Sequence, residues 1–212
     1  FRYSLLTQEL AHFAPRSKDK TSLPSYVVTS LSLDKNGDLW LGTEDSGLAR
    51  FDYGKHGFHR YQRDNFDSNS ISTNSISDVL SDRSGVLWVA TRGGGLNKML
   101  ERSKVFKHYG VTQDAKNTMT SNDIFGIVKD ENDVIWLGTA DGGLNSLNRK
   151  TKKYSYHQIN WAEGEGNTVL SVMALCLDSK GRLWVGSTGF GLWLYDRETG
   201  KATSYHTQNN KK

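Results

Sequence analysis

The sequence predicts an all-β chain of stacked, four-stranded antiparallel sheets, and three observations carry that prediction. Trp40, Trp88, Trp136 and Trp184 stand at a constant spacing of 48 residues. Within each unit the hydrophobic period is close to two, which belongs to strands rather than helices. Gly is abundant and Pro scarce, 21 against 2, as a chain of hairpins requires. A fixed period of this length marks stacked structural repeats, and it overrides any domain count taken from length alone.

The elements of one unit follow in order from the second repeat. Ile76 to Leu80 reads as a first strand and Asp82-Arg83-Ser84-Gly85 as a tight turn. Val86 to Thr91 is the second strand, Leu96 to Met99 the third and Val105 to Tyr109 the fourth. The turn has a mechanism, because Asp can accept from the backbone two residues on and Gly takes positive φ at the close. Asp34, Asp82, Asp130 and Asp178 keep step, as do Gly47, Gly95, Gly143 and Gly191. The third copy has Asp133 in place of the turn Gly, and Asp is among the residues that tolerate that conformation best.

The second strand is apolar on both faces in every copy. A strand buried on both sides fits a sheet held between two neighbouring sheets, the arrangement of blades in a β-propeller. Gly42, Ala90, Gly138 and Gly186, two positions after each Trp, leave room for a bulky neighbour, so each Trp is expected to pack across a blade interface.

Aligned on the period, 25–61, 73–109, 121–157 and 169–206 are four complete blades. Residues 1–13 match the third and fourth strands of a blade, because Phe13 precedes Tyr61 by the same 48 residues. The expected architecture is therefore an arc of a larger ring: the outer half of one blade, then four blades. The chain opens at Phe1 without an initiating Met and shows no signal peptide, so it reads as a piece of something longer.

Bulk composition excludes several classes. The charged fraction is 24% without long single-sign blocks, which argues against disorder. A net charge of +4 is spread over all repeats, a basic surface rather than a nucleic-acid footprint. No stretch approaches the ~18 apolar residues of a membrane span. The one cysteine, Cys176, lies in the apolar run VLSVMALCL and is expected to be a buried structural thiol.

The WD signatures of Gly-His and Trp-Asp are absent, and the Gly-Gly pair stands in a different frame from that of kelch repeats. The frame Leu-x-x-Asp-x-x-Gly-x-Leu-Trp-x-Gly-Thr-x-x-Gly-Gly-Leu, at Asp34, Gly37, Trp40, Gly42, Thr43, Gly47 and their equivalents, resembles the two-component regulator propeller repeat. Ala90, Asp133, Ser187, Ser46 and Phe190 depart from it in a minor way. That resemblance implies a periplasmic sensor module of a bacterial receptor, ahead of a β-sandwich, a membrane helix and a histidine kinase or diguanylate cyclase. It also implies ligands of the oligosaccharide type. The expected partners are such a small polar ligand, the remaining blades and signalling domains of a longer chain, and a second copy in a homodimer. Nucleic acid is not among them, and membrane contact comes only through the longer chain.

Frame residues are structural, so binding residues are sought where the copies differ. Alternation of strand direction puts the loops between strands two and three on the same face as the long connections between blades, and loops of that kind carry function. The variable positions there are Glu44 and Asp45, Arg92, Asp141 and Phe190, with Trp161 in the connection before the fourth blade. Carboxylates, a guanidinium and aromatic rings around one mouth suit a sugar or sugar acid. Each of these residues also has a plainer reading, as a solvated loop tip or, for Trp161, an interblade contact. His12, His108, His157 and His206 fall at the rims of successive blades, too far apart to share an ion, so neither metal nor cofactor is expected. No Gly-x-Ser-x-Gly elbow occurs. A lyase or glycosidase working through Glu44, Asp45 or Asp141 stays open as the alternative, as does a protein-interaction scaffold.

Overall fold

The computed structural model describes residues 1–100, 105–112, 117–159 and 171–205. Four antiparallel sheets of four strands each follow one another along the chain. The first holds β3 (Val28–Leu33), β4 (Leu39–Thr43), β5 (Leu48–Asp52) and β6 (Gly57–Tyr61), after a small sheet of β1 (Arg2–Tyr3) and β2 (Leu10–Ala11). The second holds β7 (Ile76–Ser81), β8 (Val86–Thr91), β9 (Leu96–Leu100) and β10 (Phe106–Tyr109). The third holds β11 (Ile124–Lys129), β12 (Val134–Thr139), β13 (Gly143–Asn148) and β14 (Lys153–His157). The fourth holds β15 (Val172–Leu177), β16 (Leu183–Ser187), β17 (Gly191–Tyr195) and β18 (Ala202–Ser204). Each sheet is a simple up-and-down meander. The first strands β3, β7, β11 and β15 neighbour one another, which makes them the inner edge of a fan of blades. The fold is a β-propeller arrangement.

Each frame residue has a physical task. The Asp Oδ1 accepts from the backbone N–H groups two and four residues on, at 2.8–3.0 Å for Asp82 and 2.9–3.0 Å for Asp130. Its Oδ2 accepts from the Trp indole N–H, at 2.9, 3.3, 2.9 and 3.0 Å in the four copies. One carboxylate thus fixes both the turn and the ring. The turn residue after it is left-handed in every copy, with φ of 83° at Gly37 and 68° at Asp133. The Thr hydroxyl donates to the carbonyl of the last frame Gly, Thr43 to Gly47 and Thr91 to Gly95 at 2.6 Å.

Blades are joined by the next copy's apolar residues. Trp40 packs with Ile76, Val79 and Met99 of the second blade. Trp88 packs with Ile124, Ile127 and Leu137 of the third, and Trp136 with Val172, Val185 and Tyr195 of the fourth. The space beside Gly42 is filled by Ile76, whose Cγ2 would lie 2.7 Å from an added Cβ. Val172 fills the equivalent space at Gly138, at 2.6 Å. Phe13 meets Phe58 edge-on at 5.7 Å, as Tyr61 meets Phe106 at 6.3 Å one repeat later.

Polar joints repeat with the same offset. The Thr29 hydroxyl donates to the Ile76 carbonyl at 2.8 Å, and the Ser77 hydroxyl to that of Ile124. Arg149 of the third blade reaches back to Asp82 at 2.8 Å, and Arg197 of the fourth to Asp130 at 2.9 Å. Burial alone would push the Asp82 carboxyl up, but hydrogen bonds from Ser84, Val86 and Trp88, with the Arg149 charge, hold it below its usual range.

Cys176 corrects the sequence reading: its thiol is exposed. It alternates with Leu175 and Leu177 on β15, and its side of the fourth blade has no further sheet against it among the described residues.

Candidate functional site

The loops between second and third strands and the connections between blades share one end of the fan, as strand alternation demands. Backbone bonds lock the two sets together: Arg92 N–H donates to the Ser75 carbonyl at 3.0 Å, and Ala140 N–H to that of Asp123 at 2.9 Å. Gly95 N–H donates to the Asn122 carbonyl at 2.8 Å. Among the described residues, the mouth loops are thus tied to the connections by backbone bonds.

Glu44 and Arg92, from adjacent blades, form an ion pair at 3.6 Å on the exposed surface. The Arg92 guanidinium lies 5.1 Å from the centroid of the Phe125 ring, at the start of the third blade's inner strand. Glu44, Arg92 and Phe125 thus run across three successive blades. Phe125 sits at the bulge that interrupts the pairing of β11 with β12 between Ile124 and Gly126. The same bulge position holds Thr29, Ser77 and Met173 in the other copies. Thr29 and Ser77 spend their hydroxyls on the next blade's carbonyl, whereas Phe125 and Met173 have no hydroxyl to spend.

Asp45 lies beside this array and accepts from the Ser46 hydroxyl at 2.9 Å. Hydrogen bonds from Ser25 and then Ser46 hold its carboxyl below the usual range, so it stands as a fixed acceptor. Asp141 is exposed at its loop tip. Phe190 is half-buried and packs against the cluster of Trp136 and Val172, while its carbonyl accepts from the Trp193 indole at 2.8 Å. Trp161 lies outside the described residues. The structure therefore brings Glu44 and Arg92 together, keeps Asp45 near its serines, and turns Phe190 toward the blade interface.

Two residues at this end were not singled out in the sequence. Phe125 is the one aromatic residue at the bulge position, against Thr29, Ser77 and Met173, a difference visible once the copies are aligned. Asp123 has a buried Oδ1 without a hydrogen-bond partner. No sequence signal marks it, since Val27, Ser75 and Ser171 stand at its equivalents.

Among the described residues the histidines are dispersed, and His206 lies outside them. His12 stacks on Phe1 at 4.5 Å, and His108 Nε2 meets the Ser70 carbonyl at 2.8 Å. His157 is not at an open rim. It lies between blades, with Nε2 2.8 Å from Ser146 Oγ and Nδ1 3.0 Å from Tyr195 OH, and burial pushes its pKa down. Among the described residues no three His, Cys, Asp or Glu side chains gather as metal ligands would.

Comparison with known proteins places this geometry. The family described as two component regulator propeller matches residues 22–45, 70–93, 118–141 and 166–189. Each match runs through one frame Asp and Trp, into the mouth loop. No curated protein sequence matches the chain. Among solved structures, the extracellular domain of BT3049 from B. thetaiotaomicron, described as a hybrid two component system, superposes with a TM-score of 0.73 at 24% identity. It covers 85% of this chain and 25% of its own. The extracellular domain of BT4673 from the same organism gives 0.64 at 23% identity, over 91% of this chain and 31% of that one. Virginiamycin B lyase from Staphylococcus aureus gives 0.61 at 13% identity, over 84% and 55%. These likenesses establish the shared fold, and the chain spans 25% of the BT3049 domain's length.

Proposed function

Since the chain belongs to the two component regulator propeller family by its four repeats, we propose that it is a non-catalytic, ligand-sensing module of a bacterial signalling receptor. It works outside the cytoplasm, in the periplasm, and binds a small polar ligand such as an oligosaccharide at the mouth. The observation that carries this reading is the array of Glu44, Arg92 and Phe125 across three blades. A charged pair offers directed donors and acceptors to hydroxyls, and a ring beside it offers a stacking face. Because the array spans blades, a ligand bound there bears on their relative placement, which is what a sensor has to transmit. The fold shared with extracellular domains of two component systems supports the location.

The enzyme reading finds less support in the site. A carboxyl group that donates a proton needs an apolar setting that raises its pKa. Asp45 is held in the opposite direction by Ser25 and Ser46, and Glu44 is engaged by Arg92. The fold it shares with a lyase is the point in its favour.

The test is thermal melting of the chain against a panel of neutral and acidic oligosaccharides, with product analysis alongside. We expect at least one glycan to raise Tm without being turned over, and Arg92→Ala to remove that shift. A panel without any shift, or a shift that survives Arg92→Ala, sinks the mouth as the binding site. Products that disappear in Glu44→Gln or Asp141→Asn would establish the enzyme instead.

A further inference from the structure

The opposite end of the fan holds a second concavity, between β8–β10 of the second blade and β13–β14 of the third. It is a cleft of about 220 Å³. Its floor is Trp88, which is 1% exposed, with Leu147. Tyr109 and Tyr154 form its sides. Lys98, Arg149, Lys150 and Lys152 line it together with one carboxylate, Asp133, and Asp82 lies behind Arg149 at 2.8 Å.

Two observations show that the Lys98 charge is not spent within the fold. Lys98 stands directly opposite Lys107 across β9 and β10, and like charges in that register repel. In the first blade the equivalent of Lys98 is Arg50, which is neutralised by Asp38 at 2.8 Å. One repeat later that acid is Val86, and Lys98 has no ion pair among the described residues. Arg149 differs, because Asp82 and Asp133 both hold it at 2.8 Å. It is a fixed post, while Lys98, Lys150 and Lys152 face the cleft unpaired among the described residues. Burial, then the charges of Arg149, Lys107 and Lys152, push the Lys98 pKa down against the opposing pull of Asp82.

We propose that this cleft binds a small oxyanion carried on a ring, a sugar phosphate being the simplest such ligand. The oxyanion sits between Lys98 and Lys152 and takes charge-assisted hydrogen bonds from both. The Lys98 ammonium already lies 5.5 Å from the Trp88 ring centroid and the Arg149 guanidinium 5.4 Å, so the cations are anchored over an aromatic floor. The body of the ligand rests on Tyr154 and Leu147. This site lies at the end of the fan away from Glu44 and Arg92, and it does not depend on the reading of the mouth.

The experiment is titration calorimetry of the chain at low ionic strength with glucose 6-phosphate, inorganic phosphate and glucose. We expect saturable binding of glucose 6-phosphate, weaker binding of inorganic phosphate, and none of glucose. Lys98→Met should weaken the sugar phosphate about tenfold, added salt should weaken it further, and Glu44→Gln should leave it unchanged. Lys152→Asn is the second variant, because Asn tolerates the positive φ of 58° found at Lys152. It should weaken binding too, and a thermal melt confirms that each variant is folded. Absence of saturable binding by either anion overturns the proposal, as does unchanged affinity in both lysine variants. Inorganic phosphate binding as tightly as the sugar phosphate overturns the role of the rings.

Discussion

At the residue scale, the four frame tryptophans are chemically equivalent but not energetically so. Each is tied to its Asp and covered by an aromatic ring from the fourth strand, Tyr61 at 5.4 Å for Trp40 and His157 at 4.6 Å for Trp136. Trp136 is also buried against the next blade, whereas Trp184 is only half-buried. Trp136→Ala is expected to cost roughly 3–5 kcal/mol in chemical denaturation, and Trp184→Ala clearly less. Equal costs would mean that the interblade contact contributes little. His157 adds a pH dependence whose sign can be worked out. Its folded pKa lies below the unfolded value of about 6.5, so the unfolded chain binds more protons between the two. Stability from the buried neutral ring is complete above the unfolded pKa and falls as pH drops through that value toward the folded one. Urea midpoints from pH 7.5 to 5 should show the loss, and His157→Gln should flatten it. The period revealed where the Trp would pack. It did not reveal the bond from indole to carboxylate, because six residues separate the pair and only the closed turn brings them together.

At the scale of the element, the inner strands decide how close two blades come. Gly138 admits Val172, whose carbonyl oxygen would stand 2.8 Å from an added Cβ. At Gly186 an added Cβ would meet nothing closer than Ala174 Cβ at 3.5 Å. Gly138→Ala should therefore cost about 1–3 kcal/mol through overpacking, while Gly186→Ala should be near neutral. Thermal melts of the two variants compare them directly. Strand limits were legible because alternation and turn chemistry are local. The second repeat was read as Val86 to Thr91 and Leu96 to Met99, against Val86–Thr91 and Leu96–Leu100 in the structure. The mouth was legible only in part. Glu44 and Arg92 could be placed on one end of the fan, but their pairing depends on the angle between two blades. The packing of Phe190 against the blade interface was not legible, because a short-range pattern does not say which way a loop side chain turns. Cys176 was misjudged because apolar neighbours signal burial only where another sheet covers them.

At the scale of the whole molecule, the sheets form a series in which the middle ones have two neighbours and the end ones fewer. Leu31 is 63% exposed on the first blade, whereas its equivalents Val79 and Ile127 are 5% and 3% exposed. Stability in such an array is close to a sum over units and their interfaces. Native-state hydrogen exchange should show it, with β8 and β12 amides protected longest and β3 and β15 opening earlier. Uniform protection would mean a single cooperative unit. The joints between blades add a further point. Thr29 to Ile76 and Ser77 to Ile124 span 47 residues each, and Asp82 to Arg149 and Asp130 to Arg197 span 67 each. The second blade therefore carries the acceptor half of one hydroxyl joint, at Ile76, and the donor half of the next, at Ser77. Excising exactly one period, such as residues 73–120, would leave Thr29 facing Ile124 with the same geometry it now has with Ile76. Loss of that unit leaves the hydroxyl joint matched at the seam, so at this point of the chain a blade can be lost by recombination without a compensating substitution at that bond.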